Sequence, residues 1–386
     1  MIFSNKYIEY SSKSKTELYS TLILFKILSS KKIVFLGKYL LSIALKINLP
    51  ISGLIKTTIF KHFCGGENIK ESRSRINELG KYNIQTILDY SIEGKNDDKS
   101  FNNTYQEIIK NIDEAHCNPL IPFCVFKITG IGRFKLLEKL SKKEELSQLE
   151  KNELDIINER LHNICKKATK NKIPILIDAE ESWIQYAIDK LVENLMQAYN
   201  KKEVIVYNTI QLYRSDKLAY IQEQHNKAKK GNFKLGFKLV RGAYMEKERE
   251  RAAQYKYPCP IHNHKNDCDK DYDQASKYCI ENINDMALCF GTHNEKSTQL
   301  VIELMNQNRI ENNDTRIYFS QLLGMSDNIS FYLGKFQYNV AKYVPYGPVK
   351  EVIPYLIRRA EENTSISGQM GRELINIQLE RKRRKN

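Results

Sequence analysis

Eight short apolar runs, separated by stretches of helical period, constrain this chain more than anything else in its sequence. They are TILDYSI (86–92), IPFCVFKIT (121–129), IPILIDAE (173–180), EVIVYNT (203–209), KLGFKLVRG (234–242), ALCFGTH (287–293), RIYFSQLL (316–323) and NVAKYVPY (339–346). Their nearly uninterrupted hydrophobicity suits strands covered on both faces, as in parallel sheets. Between them apolar residues recur mostly every three or four positions, as at Leu146, Leu149, Leu154, Ile157, Leu161 and Ile164, which is the period of an amphipathic helix. Strand and helix alternating in this way predict an α/β chain closed into a (β/α)8 barrel, with a doubly wound sheet as the rival.

Two observations favour the barrel. No GxGxxG follows any strand: Gly130 and Gly132 are followed by Lys135 where the third glycine would stand, so a Rossmann nucleotide site is not supported. The runs also end in polar or charged groups, namely Glu93, Lys127, Asp178 with Glu180, Gln211, Arg241, Thr292 with His293 and Asn294, Gln321 and Tyr343. A barrel gathers the C-terminal ends of its strands around one mouth, so these groups are expected to converge there. The stretch 130–172 is longer than an ordinary crossover and predicts an extra helix pair on the outside.

Length and charge set the surroundings. At 386 residues the chain accommodates a barrel of about 250 residues plus extensions, divided here as a basic helical extension (1–80), a catalytic barrel (81–364) and a C-terminal helix with a basic tail (365–386). The formal charge of +15 is concentrated at the ends, with eleven lysines against three glutamates in 1–70 and RKRRK at 381–385. Basic ends of this kind suit peripheral contact with the inner face of the cytoplasmic membrane. Nucleic acid is not expected, because neither end interleaves aromatic stacking residues with its charge. Lys38, Lys46, Lys56 and Pro50 interrupt the apolar segment 33–60, which therefore predicts one or two amphipathic helices rather than a membrane span. No signal peptide or transit peptide is evident, and the eight scattered cysteines fit a reducing cytoplasm. Cys259, His262, His264 and Cys268 lie within ten residues, in a spacing that matches no standard zinc module, and no metal is expected.

The segment YVPYGPVKEVIPYLIRRAEEN (343–363) bears on chemistry. Its paired guanidinium groups, Arg358 and Arg359, match a carboxylate ligand, although Arg358 and Glu362 also stand at the i,i+4 spacing of a solvated ion pair. Lys127 would bring a third cation to the mouth, and Glu93, Asp178 and Glu362 would balance the charge of the empty site. With Leu322 and Tyr343 as walls, such a pocket suits a small apolar amino or imino acid. GAY (242–244) allows close approach of the backbone to a ligand, and GTHN (291–294) offers donors for phosphate or ribose. Composition alone leaves a flavin dinucleotide and a phosphorylated sugar both open.

LDYSIEG, ILIDAEES, FKLVRGAYMEKER, GTHNEKS, YFSQLLGMSDNISF and KYVPYGPVKEVIPYLIRRAEEN together resemble the proline dehydrogenase family, in order from about residue 84 to 364. The resemblance implies a distorted TIM-type (β/α)8 barrel that binds FAD and oxidises L-proline to 1-pyrroline-5-carboxylate, by hydride transfer from proline C5 to flavin N5. Electrons would pass to a membrane quinone, in the first step of proline catabolism to glutamate. By the same resemblance Arg358, Arg359 and Lys127 grip the substrate carboxylate, Tyr343 and Leu322 line its ring, and Asp178 and Lys238 are the catalytic positions. Lys238 falls near flavin N5, where many relatives carry arginine. Gln211, Lys238, Arg241, Gly242, Ala243, Thr292, His293 and Asn294 match cofactor-binding positions, and Glu93 and Glu362 are the supporting ion partners. Hydroxyproline oxidation on the same fold and a non-catalytic binding protein are the alternatives.

Overall fold

The computed structural model describes residues 14–47, 49–92, 97–365 and 369–384. All eight apolar runs form strands, β1 (Gln85–Tyr90), β2 (Phe123–Lys127), β3 (Ile175–Asp178), β4 (Val206–Gln211), β5 (Leu235–Val240), β6 (Met286–Gly291), β7 (Ile317–Leu322) and β8 (Val340–Tyr346). They pair in sequence order, all parallel, and β1 closes on β8 through a register running from Gln85 opposite Ala341 to Tyr90 opposite Tyr346. The doubly wound rival is thereby excluded. Each strand is followed by helix, and the long 130–172 stretch contains two, Phe134–Lys142 and Gln148–Asn171. The second begins at a capping box, in which Ser147 and Glu150 satisfy each other's backbone N–H groups.

Alternation along the strands divides the apolar side chains into two populations. Ile87, Phe123, Val125, Leu176, Tyr207, Ala287, Cys289 and Ala341 fill the barrel interior, where the Phe123 ring meets those of Tyr207 and Tyr318 edge to face at 5.4 and 4.8 Å. Their neighbours, such as Leu88, Cys124, Ile175, Ile177, Val206 and Phe237, face the surrounding helices and form the larger core.

A further core lies apart from both. Leu18, Leu22, Phe25 and Leu28 of the N-terminal helix Lys15–Leu28 pack with Phe60 and Phe63 against Val349, Val352, Tyr355, Leu356 and Ala360 of the helix Val349–Ser365, with Ile377 of Gln369–Arg383 beside them. The two chain ends therefore cover the helix that carries Arg358 and Arg359. The expected amphipathic helix of the 33–60 segment is Lys31–Lys46, and a short helical stretch from Ser52 to Phe63 follows Pro50. No helix among the described residues is long and apolar enough to cross a membrane.

Because Leu176 is fully buried inside a closed ring of strands, its truncation leaves a cavity that the ring cannot collapse to fill. Leu176→Ala is expected to lower unfolding stability by about 2–5 kcal/mol, read as a shifted urea midpoint with an unchanged slope.

Candidate active site

The strand-end groups converge as the period of two requires. Counting outward from the interior side chains, Asp89, Lys127, Asp178, Gln211, Lys238, Leu322 and Tyr343 share the inward phase on seven of the eight strands, and Gly291 takes that phase on β6. Lys127 stands opposite Asp178 in the β2–β3 register, and Leu322 opposite Tyr343 in β7–β8.

Lys238, Asp178 and Tyr343 form the centre of this arrangement. The Lys238 ammonium is bonded to the Asp178 carboxylate and donates to the Tyr343 hydroxyl at 2.6 Å. It also lies 4.7 Å from the centroid of the Tyr343 ring. Lys238 and Tyr343 are buried, and Asp178 is partly open to solvent. Burial is the main cause that pushes the Tyr343 phenol well above its ordinary range, and the Asp178 carboxylate adds to it. The phenol therefore stays protonated, and the buried cation is compensated by a carboxylate rather than by a phenolate.

Beside this centre, Glu180 ties three strand ends together. Its backbone N–H donates to Gln185 Oε1 at 2.8 Å, and its carbonyl accepts from Gln211 Nε2 at 2.9 Å. Its carboxyl oxygens receive the Thr129 N–H at 3.2 Å and the Thr129 hydroxyl at 2.5 Å. Burial raises its pKa to about 7, against the opposing effects of nearby Lys127 and the Thr129 hydrogen bonds.

A polar shelf extends past β5 and β6. Arg241 donates from Nε to Asp269 (2.7 Å), from Nη1 to Thr292 Oγ1 (2.7 Å) and from Nη2 to Ser297 Oγ (2.9 Å), with its guanidinium carbon 4.3 Å from the centroid of the Tyr272 ring. Asn294 caps the helix Glu295–Gln307 by accepting from the N–H groups of Lys296 and Ser297. His293 shares a hydrogen bond with Ser326 Oγ at 3.0 Å, and burial, reinforced by Lys342, Arg359 and Arg241, lowers its pKa to about 3. Gly242 has φ +136°, and a Cβ there would lie 2.5 Å from the Tyr213 ring, so only glycine fits. Ala243 beside it is exposed. Arg359 is buried and Arg358 half-buried on the helix Val349–Ser365. The Glu362 side chain and Glu93 lie outside the described residues.

The Cys259–Cys268 segment is not arranged as a ligand set. Lys265 begins a helix, Cys259 and Cys268 pack with Tyr213 and Ile261, His264 is exposed, and His262 bonds Asp271 at 2.7 Å. No group of three His, Cys, Asp or Glu side chains among the described residues is placed to hold a metal ion.

Several members of the site were not singled out from sequence. Asp89 carries a readable signal, since it stands two residues after the interior Ile87. Asp269 and Asp273, which hold Arg241 and Ser297, stand at i,i+4 spacing on one face of an acidic helix. Lys342, fully buried on the outward phase of β8 and paired with Asp327 at 3.0 Å, left no signal, because burial of a lysine depends on a partner fifteen residues away.

Residues 72–372 match the family model described as Proline dehydrogenase. The chain belongs to the proline dehydrogenase family. It is 33% identical over 421 residues to Proline dehydrogenase 1, mitochondrial, of Dictyostelium discoideum, covering 97% of this chain and 74% of that one. Hydroxyproline dehydrogenase of Xenopus laevis is 28% identical over 412 residues, covering 97% and 88%. Among solved structures, proline utilization A from Bdellovibrio bacteriovorus superposes with a TM-score of 0.72 at 20% identity, covering 95% of this chain. This chain spans 39% of that longer protein, and at such identity the likeness speaks for the fold alone. The family's barrel is the fold seen here, and the chain is an enzyme of that family.

The two shifted groups give opposite pH dependences. Glu180, with its folded pKa raised from 4.5 to about 7, contributes stability that is present below pH 4.5 and lost as pH rises through 7. His293, lowered from 6.5 to about 3, contributes stability present above pH 6.5 and lost as pH falls towards 3. Thermal melts across pH should show Glu180→Gln gaining on the wild type between pH 4.5 and 7, and His293→Asn gaining as pH falls below 6.5.

Proposed function

We propose that this enzyme oxidises L-proline to 1-pyrroline-5-carboxylate at the mouth of the barrel, using FAD. The observation that carries the reading is the buried Lys238–Asp178–Tyr343 cluster, standing among inward-facing strand ends beneath a helix with paired arginines. Arg358, Arg359 and Lys127 supply the positive charge that a substrate carboxylate needs. Leu322 and Tyr343 supply the apolar wall for its ring.

The residues present suit a flavin dinucleotide. Gln211 Oε1 is a buried acceptor with no hydrogen-bond partner among the described residues, which a ligand donor would satisfy. Gly242 leaves backbone open where any side chain would strike Tyr213, and Arg241, Thr292, His293 and Asn294 form a fixed polar shelf beside it. Gln211, Lys238, Arg241, Gly242, Ala243, Thr292, His293 and Asn294 would hold the cofactor. When bound, the flavin supplies the two-electron acceptor for the hydride leaving proline C5.

The remaining work falls to the protein. Clamping the carboxylate at one end of the ring and confining the other against Tyr343 fixes the reacting carbon, which replaces a rare encounter by a held geometry. Lys238 brings a buried positive charge to the reacting centre. Asp178 keeps that charge neutralised before substrate arrives, and its solvent-facing carboxylate is the candidate acceptor for the amine proton. Glu93 and Glu362 are assigned as ion partners of the arginine pair.

Electron exit to a membrane quinone fits the outer face of the N-terminal helices. Ile23, Ile27, Phe35, Leu36 and Tyr39 are exposed there, among Lys26, Lys32 and Lys38, a composition suited to an anionic bilayer surface. Hydroxyproline is the second reading, favoured by the similarity to the Xenopus enzyme. The buried Tyr343 hydroxyl, already engaged by Lys238, leaves less room for a ring substituent, so kcat/KM is expected to be higher for proline.

Purified protein is expected to be yellow and to bleach with proline under anaerobic conditions; a colourless protein that takes up no FAD would overturn the assignment. Arg358→Met should raise the proline KM by about 10- to 100-fold, the worth of a charge-assisted hydrogen bond, with flavin retained. Replacing Phe35 and Leu36 by serine should weaken binding to anionic vesicles while leaving turnover with a soluble acceptor unchanged.

A further inference from the structure

The helix bearing Arg358 and Arg359 is held at its start by a carboxylate from outside the region matched by the family model. Residues 64–67, CGGE, run along the end of β8. Gly65 N–H donates to the Pro345 carbonyl at 2.9 Å, Gly347 N–H donates to the Gly66 carbonyl at 3.1 Å, and Gly66 pairs in parallel with Tyr346. A Cβ at Gly65 would lie 2.5 Å from Val344 Cγ1, so the segment approaches β8 this closely only because it carries glycine.

That approach delivers Glu67 to the N-terminus of Val349–Ser365. Its Oε1 accepts from the Val349 N–H at 3.2 Å and its Oε2 from Lys56 Nζ at 2.5 Å. Its own N–H donates to Glu71 Oε2 at 3.2 Å. The Lys56 and Val349 hydrogen bonds hold the Glu67 carboxyl below the usual carboxylate range, so it is a charged acceptor placed on an N–H that has no partner within the helix. The first turns of this helix need such support. Pro354 lies inside it and has no N–H to give the Lys350 carbonyl. Farther along, Lys38 bonds Glu361 at 2.6 Å, and Leu22, Phe25, Phe60 and Phe63 pack against its apolar face.

We propose that Glu67 is a positioning residue for substrate binding: seated on the end of β8 by the Gly65–Gly66 turn, it fixes the start of the arginine helix and thereby where the two guanidinium groups stand over the barrel mouth. This rests on the reading of Arg358 and Arg359 as the carboxylate grip.

Steady-state kinetics of the flavin-loaded full chain test it. Glu67→Ala should raise the proline KM about fivefold, the effect of a lost helix cap, with kcat and bound flavin unchanged. Glu67→Gln, whose amide oxygen still accepts from the Val349 N–H, should recover most of that loss. Combined with Arg358→Met, Glu67→Ala should add less than it costs in the wild type, because one of the two groups it positions is gone. A lower Tm with unchanged KM, or a loss that adds fully to that of Arg358→Met, overturns the inference. If Glu67→Ala does not fold, the change Lys56→Met at a half-buried position loosens the same carboxylate and should raise KM in the same direction; no change in KM there overturns it. Arg358→Met separates the two claims. Unchanged KM in that variant overturns the grip and the inference together, whereas a raised KM there with unchanged KM in Glu67→Ala overturns the inference alone.

Discussion

Closure of eight parallel strands into a ring is the constraint from which the rest of the site follows. A closed ring has no edge, so each strand's backbone groups are satisfied by its neighbours, and every second side chain must point inward. Low in the barrel these inward positions are apolar and packed, as with Phe123, Tyr207 and Leu176. Two or four residues later, at the mouth, the same phase presents Asp89, Lys127, Asp178, Gln211, Lys238 and Tyr343. The polar groups meet because the ring leaves them nowhere else to go.

Gathering charge in so small a volume requires balance. Lys238 is matched by Asp178 and by the neutral Tyr343 hydroxyl, Arg241 by Asp269, and Lys342 by Asp327. Burial keeps Glu180 half-neutral near pH 7 and His293 uncharged. Among the described residues these charges of the centre are thus paired, whereas an unpaired buried charge would cost several kcal/mol.

Much of this was legible in the sequence, and the reason is physical. Strands buried on both faces must be apolar throughout, so all eight stood out, with boundaries within about three residues. The convergence of Lys127, Asp178, Gln211 and Tyr343 followed from their places at the ends of the apolar runs, whereas Lys238 was picked out only by the family resemblance. Contacts between elements distant in the chain were not legible. Nothing in NDCDKDYDQ tells that Asp269 holds Arg241, and nothing in CGGE tells that Glu67 reaches Val349. The N-terminal helices read as amphipathic, but the surface their apolar face covers, Val352, Tyr355 and Leu356, lies some three hundred residues away, and pattern alone carries no address for it.

That separation has a consequence for how the molecule is made. The apolar face of Lys15–Leu28, with Leu18, Leu22 and Phe25, is synthesised some three hundred residues before its partners in Val349–Ser365 and Gln369–Arg383. Loops this long close slowly. Lys15–Leu28 must wait with its apolar side uncovered while the barrel between them is built, and the core that it shares with Val349–Ser365 and Gln369–Arg383 forms only when those helices arrive.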